Sequence, residues 1–246
     1  MQSMSASPRI LVAGASGAIG RRLCRLLVEE GWTVSGTTRS TERAAALWDM
    51  GVEPVVADVF DARHWQQAVI DARPDIVIHQ LTDLPPALDP ARMAEARLRN
   101  ARIRELGTQH LVAAAIAAGA RRLIAQSVAF AYAPGPAPWH EEAPLNVAAP
   151  DPAGLSARGV ASLEQQVRAS GLESVVLRYG KLYGPGTGFD APLPGGPVHV
   201  DAAADAARRA ITQGSGIYNI AEADGTVASE RAMAELGWSA DFRLKD

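Results

Sequence analysis

Apolar and polar positions follow two alternating rhythms along this chain. Short, almost wholly apolar runs such as Ile10-Leu-Val-Ala13 and Ile76-Val-Ile-His79 have the composition of strands buried on both faces of a parallel sheet. Longer intervals repeat their apolar residues at helical spacing, as Leu23, Leu26 and Leu27 do around Cys24. These rhythms predict strands over 9–13, 32–37, 53–57, 75–80, 121–126 and 174–178, and helices over 18–30, 41–50, 61–71, 90–118 and 155–169. Gly31, Gly51, Gly119 and Gly171 each fall where one of those helices should stop. Beyond Val198 the pattern predicts a helix over 202–212, a strand over 216–220 and a helix over 226–235. Such alternation predicts the α/β class, with a doubly wound parallel sheet covered by helices on both faces.

Three stretches break the rhythm. Residues 82–89 contain Pro85-Pro86, 133–154 are proline-rich without a period, and 184–197 alternate glycine and proline around Phe189 and Asp190. All three follow the carboxyl ends of expected strands, the edge at which open α/β sheets bind ligands, so they are expected to be lids, with disordered segments the alternative.

Composition narrows the picture. The chain has 246 residues, enough for one α/β unit with a substantial core. A net charge of −3 gives no reason to expect nucleic acid or an anionic membrane as partner. The single cysteine, Cys24, excludes an internal disulfide, and its place among leucines reads as packing. No apolar run reaches membrane-spanning length, and the opening Met-Gln-Ser-Met-Ser-Ala-Ser-Pro is short and polar. The expectation is a cytoplasmic protein with no membrane partner and no metal site. Lys181 and Lys245 are the only lysines, so chemistry needing a lysine in the core has one realistic candidate, Lys181.

The first strand opens into Gly14-Ala-Ser-Gly-Ala-Ile-Gly20, with three evenly spaced glycines. Gly14 and Gly17 would let the backbone turn sharply and approach a pyrophosphate beside Ser16. Gly20 would let the helix that begins at Ala18 and Ile19 pack closely, its N–H groups aimed at the phosphates. Flexible turns use the same residues, but a strand before and a helix after are the context of a Rossmann-type dinucleotide site. Residues 1–180 are then the expected NAD(P)-binding domain. Residues 181–246 are a small substrate-binding lobe that partly returns to the core sheet, the whole forming one structural unit.

The order of motifs along the chain resembles the extended short-chain dehydrogenase/reductase family, which contains nucleotide-sugar epimerases and dehydratases. The matching pieces are the glycine turn, Ala57-Asp-Val59, Ile76-Val-Ile-His-Gln-Leu81, Gly107-Thr108, Ala125-Gln-Ser127, Leu177-Arg-Tyr-Gly-Lys-Leu-Tyr-Gly-Pro-Gly186 and Val198-His-Val-Asp201. The resemblance implies that Asp58-Val59 contacts adenine, although Asp58 also reads as a helix cap. It implies that Gln80-Leu81 covers the ribose and nicotinamide side, and that Tyr179 lies beside the cofactor. His79 reads as a structural histidine. At the end of the second strand, relatives that use NAD carry an acidic residue, whereas this chain has Thr38-Arg39-Ser40. A guanidinium and two hydroxyls can bind a 2′-phosphate that a carboxylate would repel, so NADP is expected over NAD. Arg39 as a solvated residue and Ser40 as a helix cap are compatible alternatives.

Reductases of the family use a Tyr-x-x-x-Lys pair on one helix face, the tyrosine as proton donor and the lysine lowering its pKa. Aligned through Glu164, those positions hold Ser156 and Val160, and none of the four tyrosines has lysine four residues later. The expected working groups are therefore Ser127, which matches the family's serine after the fifth strand, with Tyr132 and Lys181; Ser156 is a substrate contact. For Ser127 a strand-end hydroxyl that satisfies backbone is the competing reading, and for Lys181 a surface lysine. Arg178 matches a family arginine near the substrate lobe, with an ion pair at the strand end as the competing reading, and Arg104 replaces a family asparagine, with Asn100 one turn earlier. Two functions follow: an atypical NADP-dependent oxidoreductase or epimerase-like enzyme acting on a carbonyl or hydroxyl of a small molecule, or a non-catalytic NAD(P)-binding redox sensor. Relatives pair through the long helix and the helix after it, so a homodimer is expected, with 113–118 and 160–167 either at that contact or facing the sheet.

Overall fold

The computed structural model describes residues 8–85, 88–150 and 152–245. Pro86 and Asp151, which belong to two of the expected lids, and the opening residues 1–7 lie outside the described residues.

The strands are β1 (Arg9–Ala13), β2 (Thr33–Thr38), β3 (Glu53–Val56), β4 (Ile76–His79), β5 (Arg122–Val128) and β6 (Glu173–Tyr179), followed by β7 (Lys181–Tyr183), β8 (Pro197–His199) and β9 (Gly216–Ile220). The helices are α1 (Ala18–Glu29), α2 (Thr41–Asp49), α3 (Ala62–Ala72), α4 (Met93–Arg102), α5 (Thr108–Ala117), α6 (Pro152–Arg168), α7 (Val200–Arg209) and α8 (Glu230–Leu236). Seven strands form one sheet in the order β3-β2-β1-β4-β5-β6-β9, and every neighbouring pair is parallel. The order reverses between β1 and β4, which opens a crevice at the carboxyl edge, directly after the glycine turn.

Each face of the sheet has its own core. Ile10, Val12, Ile78, Ile124 and Leu177 pack on one side with α1 and α7; Leu11, Val77, Leu123 and Val176 pack on the other with α3, α5 and α6. Alternate residues of one strand thus serve opposite faces, which is why the apolar runs are continuous. The buried alanines of α7 (Ala202, Ala203, Ala206, Ala207) let that helix lie close to α1. Since β9 joins β6 and α7 packs on α1, residues beyond 180 complete the sheet and one of its helical layers. Cys24 is buried in the α1 face, and burial pushes its thiol up to about 12, in keeping with a packing residue.

Two elements depart from the sequence pattern. The single helix expected over 90–118 is a 3₁₀ turn (Pro90–Arg92), α4, a π-helical turn (Ile103–Gly107) and α5. Within the expected lid over 184–197 the chain turns back so that β8 pairs in parallel with β7, three residues to each strand. Of the small and aliphatic residues over 113–118 and 160–167, Ala114, Ala115, Val160, Leu163 and Val167 are buried within the chain, while Ile116 is half exposed.

Candidate active site

At the crevice, Gly14 takes φ = 88°, a conformation that side chains disfavour, and Gly17 N–H closes the turn on Gly14 O at 3.1 Å. Gly14 N–H donates to Thr37 Oγ1 at 3.0 Å, which ties the turn to β2. A Cβ on Gly14 would sit 2.6 Å from the carbonyl oxygen of Gln80, and one on Gly20 would collide with the carbonyls of Gly14 and Ala15. The glycines are thus demanded by the close approach of β1, β4 and α1.

The crevice is lined by Gly14, Ser16, Gly17, Thr38, Arg39, Asp58, Val59, Gln80 and Leu81, nine of the residues expected there from sequence. Ala18, Ile19 and Gly20 form the first turn of α1 behind the glycine turn. Ser40 and Tyr179 are not in the lining: Ser40 caps α2 by accepting from Arg43 N–H. Asp58 does not cap α3, a task taken by Asp61; its Oδ1 accepts from Phe60 N–H at 2.9 Å. Thr37, Arg43, Ala57, Phe60, Thr82 and Ile103 complete the wall and were not singled out in the sequence. For Arg43 a signal existed, since a cation in the first turn of α2 must lie close to the end of β2. Ile103 carried none, because its place depends on the π-helical turn.

Arg39 and Arg43 stand at the β2 end of the crevice. Arg39 Nη2 bonds Asp83 Oδ1 at 3.0 Å across its mouth, and Arg99 takes the other oxygen of Asp83. Gln80 donates to the Tyr179 hydroxyl at 3.3 Å, while its buried Oε1 has no protein partner among the described residues. A glycine cradle, an unpartnered buried oxygen in the wall and two guanidiniums at one end fit a dinucleotide.

The other half of the carboxyl edge is built differently. Arg178 and Glu164, both buried, form a two-pronged pair with Nε–Oε1 2.8 Å and Nη2–Oε2 2.7 Å. Burial opposes the charge of Arg178, but Glu164 outweighs it and holds the guanidinium protonated. Ser127 donates to Glu164 Oε1 at 2.7 Å. Tyr132 donates to Asn219 Oδ1 at 2.6 Å, accepts from Arg178 at 2.9 Å and stacks on Trp139; burial raises its pKa despite the cation. Lys181 Nζ donates to Pro194 O at 2.7 Å, in the loop that leads into β8. The structure therefore gathers Ser127 and Tyr132 around one ion pair and leaves Lys181 in a loop contact.

Ser156 and Val160 lie on one face of α6, as their spacing requires. Val160 is buried among Val128, Ala131, Leu145 and Ala157. Ser156 receives Arg104 Nη1 at 2.9 Å. Burial lowers the pKa of Arg104 to about 10, with Glu164 opposing, so the guanidinium stays charged at neutral pH. His79 is fully buried; Nδ1 accepts from Leu81 N–H, which leaves the proton on Nε2 for Thr108 Oγ1. Burial, helped by Arg104, lowers its pKa to about 4, so it is a neutral structural residue at physiological pH. No helix among the described residues is long and apolar enough to cross a membrane, and no group of three or more His, Cys, Asp or Glu among them could hold a metal ion.

The model of a family described as NAD(P)H-binding matches residues 14–213. A 3-diazoavenalumate denitrifying reductase from a Streptomyces species is 43% identical over 244 residues, covering 90% of this chain and 78% of that protein. A 4-hydroxy-2-methyl-3-oxo-4-farnesyl-3,4-dihydroquinoline-1-oxide ketoreductase from Stigmatella aurantiaca is 30% identical over 127 residues, 52% of this chain and 35% of that protein. Among solved structures, the UDP-glucose 4-epimerase of Thermotoga maritima with UDP-glucose superposes with a TM-score of 0.76 at 19% identity, covering 96% of this chain and 94% of that one. The UDP-glucose 4-epimerase of Thermus thermophilus in complex with NAD does so with 0.74 at 21%, covering 96% and 95%. These two establish the fold.

Proposed function

The chain belongs to the NAD(P)H-binding family, and from that premise we propose that it is an NADP-dependent reductase that delivers hydride to a small molecule without a tyrosine–lysine proton relay. The observation that carries this reading is the contrast at the carboxyl edge: a crevice shaped for a dinucleotide, next to hydroxyls that already have protein partners. Gly14, Gly17 and the first turn of α1 would hold the pyrophosphate, Asp58 and Val59 the adenine, and Gln80 and Leu81 the nicotinamide side, with Tyr179 bonded to Gln80 behind the wall. Arg39 and Arg43, beside Thr38, favour NADP, since guanidiniums meet a 2′-phosphate with charge-assisted hydrogen bonds.

Loss of a proton relay costs about 10²–10⁴-fold in reactions that must protonate an oxygen. The Streptomyces relative points to an electrophile free of that demand, a diazo compound that is an anion by its name. When bound, the reduced nicotinamide supplies a hydride whose electron pair makes the new C–H bond at the diazonium carbon while the C–N pair departs with dinitrogen. The protein then has to bind and orient the substrate and exclude water, and no side chain must give up a proton. The Arg178–Glu164 pair, which fixes the β5 and β6 ends, supports that task. Reduction of a carbonyl is the second reading, favoured by the match to the Stigmatella ketoreductase; there Ser127, Tyr132, Lys181 or Ser156 would have to supply the proton. The reading includes a cytoplasmic homodimer.

The test is binding of NADPH and NADH, followed by turnover of C4-deuterated NADPH with an arenediazonium salt and with a panel of ketones and aldehydes. Tighter binding of NADPH and one deuterium in the denitrified arene support the reading. Deuterium transfer only to carbonyls selects the second one. Tight binding with no transfer to any acceptor overturns both and leaves a redox sensor. Light scattering checks the dimer.

A further inference from the structure

Every well-shielded arginine of this protein other than Arg104 meets a carboxylate. Arg178 pairs with Glu164, Arg22 with Asp201, Arg122 with Glu173, and Arg208 and Arg209 share Asp205. Half-buried Arg104 makes no ion pair among the described residues. Its Nη1 donates to Ser156 Oγ at 2.9 Å and to Ser156 O at 3.4 Å, while Nε and Nη2 have no acceptor among the described residues. The acid that most affects it, Glu164, has both oxygens engaged by Arg178, with Ser127 sharing one of them. A shielded cation with neutral partners alone is costly to keep, which calls for an anion not yet present.

The local backbone is built to hold the side chain there. Arg104 belongs to the π-helical turn between α4 and α5, a form of helix that recurs at functional sites. Its stem lies across Gly159 of α6, where a Cβ would come 3.4 Å from Arg104 Cδ and 3.5 Å from its Cβ. The preceding residue, Ile103, lines the dinucleotide crevice, and His79 at the end of β4 feels the charge of Arg104. The guanidinium therefore sits at the carboxyl edge between the crevice and α6.

We propose that Arg104, held by Ser156, is an anion seat for the substrate, and that the protein acts on small organic acids whose carboxylate docks there. This deepens the reductase reading and rests on it. A guanidinium has no readily released proton to offer a reacting oxygen, so its role is to bind a fixed charge, and its loss acts on affinity before turnover. A phenolate would meet the same donors and is the other source of such an oxygen anion.

The experiment is calorimetric titration of the wild type, Arg104→Gln and Arg104→Lys with 4-hydroxycinnamate, its methyl ester and 4-methoxycinnamate, with and without NADP⁺. The acid and the methoxy acid bind the wild type, and the ester binds about tenfold or more weakly. Arg104→Gln removes that preference, Arg104→Lys keeps part of it, and NADP⁺ affinity is the same in all three. Binding that survives esterification but fails on methylation of the phenol moves the anion to the phenolate and overturns the carboxylate assignment. Equal binding of acid and ester, an unchanged preference in Arg104→Gln, or no binding of any probe overturns the seat. A protein that binds no nucleotide sinks the reductase reading, while the titrations of the free protein still score the seat.

Discussion

The two halves of the carboxyl edge hold their ligand-facing chemistry in different currencies. Around β1 and β2 the site is made of backbone: a glycine at φ = 88°, a turn closed at 3.1 Å and the Gln80 carbonyl just after β4, against which no Cβ fits. Around β5, α6 and β6 it is made of side chains that grip one another, from Ser127 through Glu164 and Arg178 to Tyr132 and Asn219. The first arrangement centres on one short turn, Gly14 to Gly20, held against the ends of β2 and β4. The second joins residues far apart in sequence and leaves few polar groups free.

Gly14→Val is the change that strikes the backbone half hardest. Its side chain would meet Gln80 O and force a positive φ on a β-branched residue. NADPH affinity should fall by about a hundredfold or more, read by fluorescence titration. Near-normal affinity would mean that the crevice does not hold the pyrophosphate and would remove the contrast between the halves.

The same contrast explains what could be read from the chain. The strands followed from continuous apolar runs, since each strand serves two cores, and the helices from their apolar spacing; of the nine crevice residues, Gly14, Ser16 and Gly17 followed from glycine spacing and the other six from the family resemblance. The π-helical turn, the short strands β7 and β8, and the side-chain network did not. Three-residue strands are too short to show a period, and a π turn has the composition of the helix around it. Ser127 and Tyr132 have the residue types of a catalytic pair; what their hydroxyls bond is decided by Glu164 and Asn219, which lie 37 and 87 residues away.

Glu164→Gln tests the side-chain half. It leaves the Arg178 guanidinium buried without its counter-charge, and breaking such a pair costs about 3–5 kcal/mol. Urea denaturation should show that loss, while the NADPH affinity of the folded fraction stays the same. A small loss of stability with a collapse of turnover would instead make Glu164 a group that works on substrate.

His79 sits where the halves meet and gives the contrast a pH signature. Its pKa is about 4 in the fold against 6.5 as a free side chain, so below 6.5 the unfolded chain binds a proton that the native state refuses. Its contribution is fully present above pH 6.5 and is lost as pH falls through 6.5 towards 4, on the order of 3 kcal/mol in all. The difference between wild type and His79→Asn in stability measured from pH 7 to 4 should carry this slope. A flat difference would mean that the ring is protonated in the fold.

The smallest effect is expected at Lys181, and it separates the readings of this residue most sharply. Its Nζ holds Pro194 O, and a Cβ on the next residue, Gly195, would come within 2.7 Å of that nitrogen. From the other side, Asp224 accepts from Gly195 N–H at 3.0 Å and from Gly196 N–H at 2.8 Å. Lysine and aspartate thus clamp the glycine pair that returns the chain into β8, both members of which have positive φ. Lys181→Met keeps the aliphatic stem and removes one solvent-accessible hydrogen bond, a change of about 1 kcal/mol or less in stability. KM should rise a few-fold as the loop loosens, with kcat nearly constant. A drop in kcat of a hundredfold with unchanged stability would place the ammonium at the reacting atoms, and the β5–β6 side of the edge would then hold a working proton donor after all.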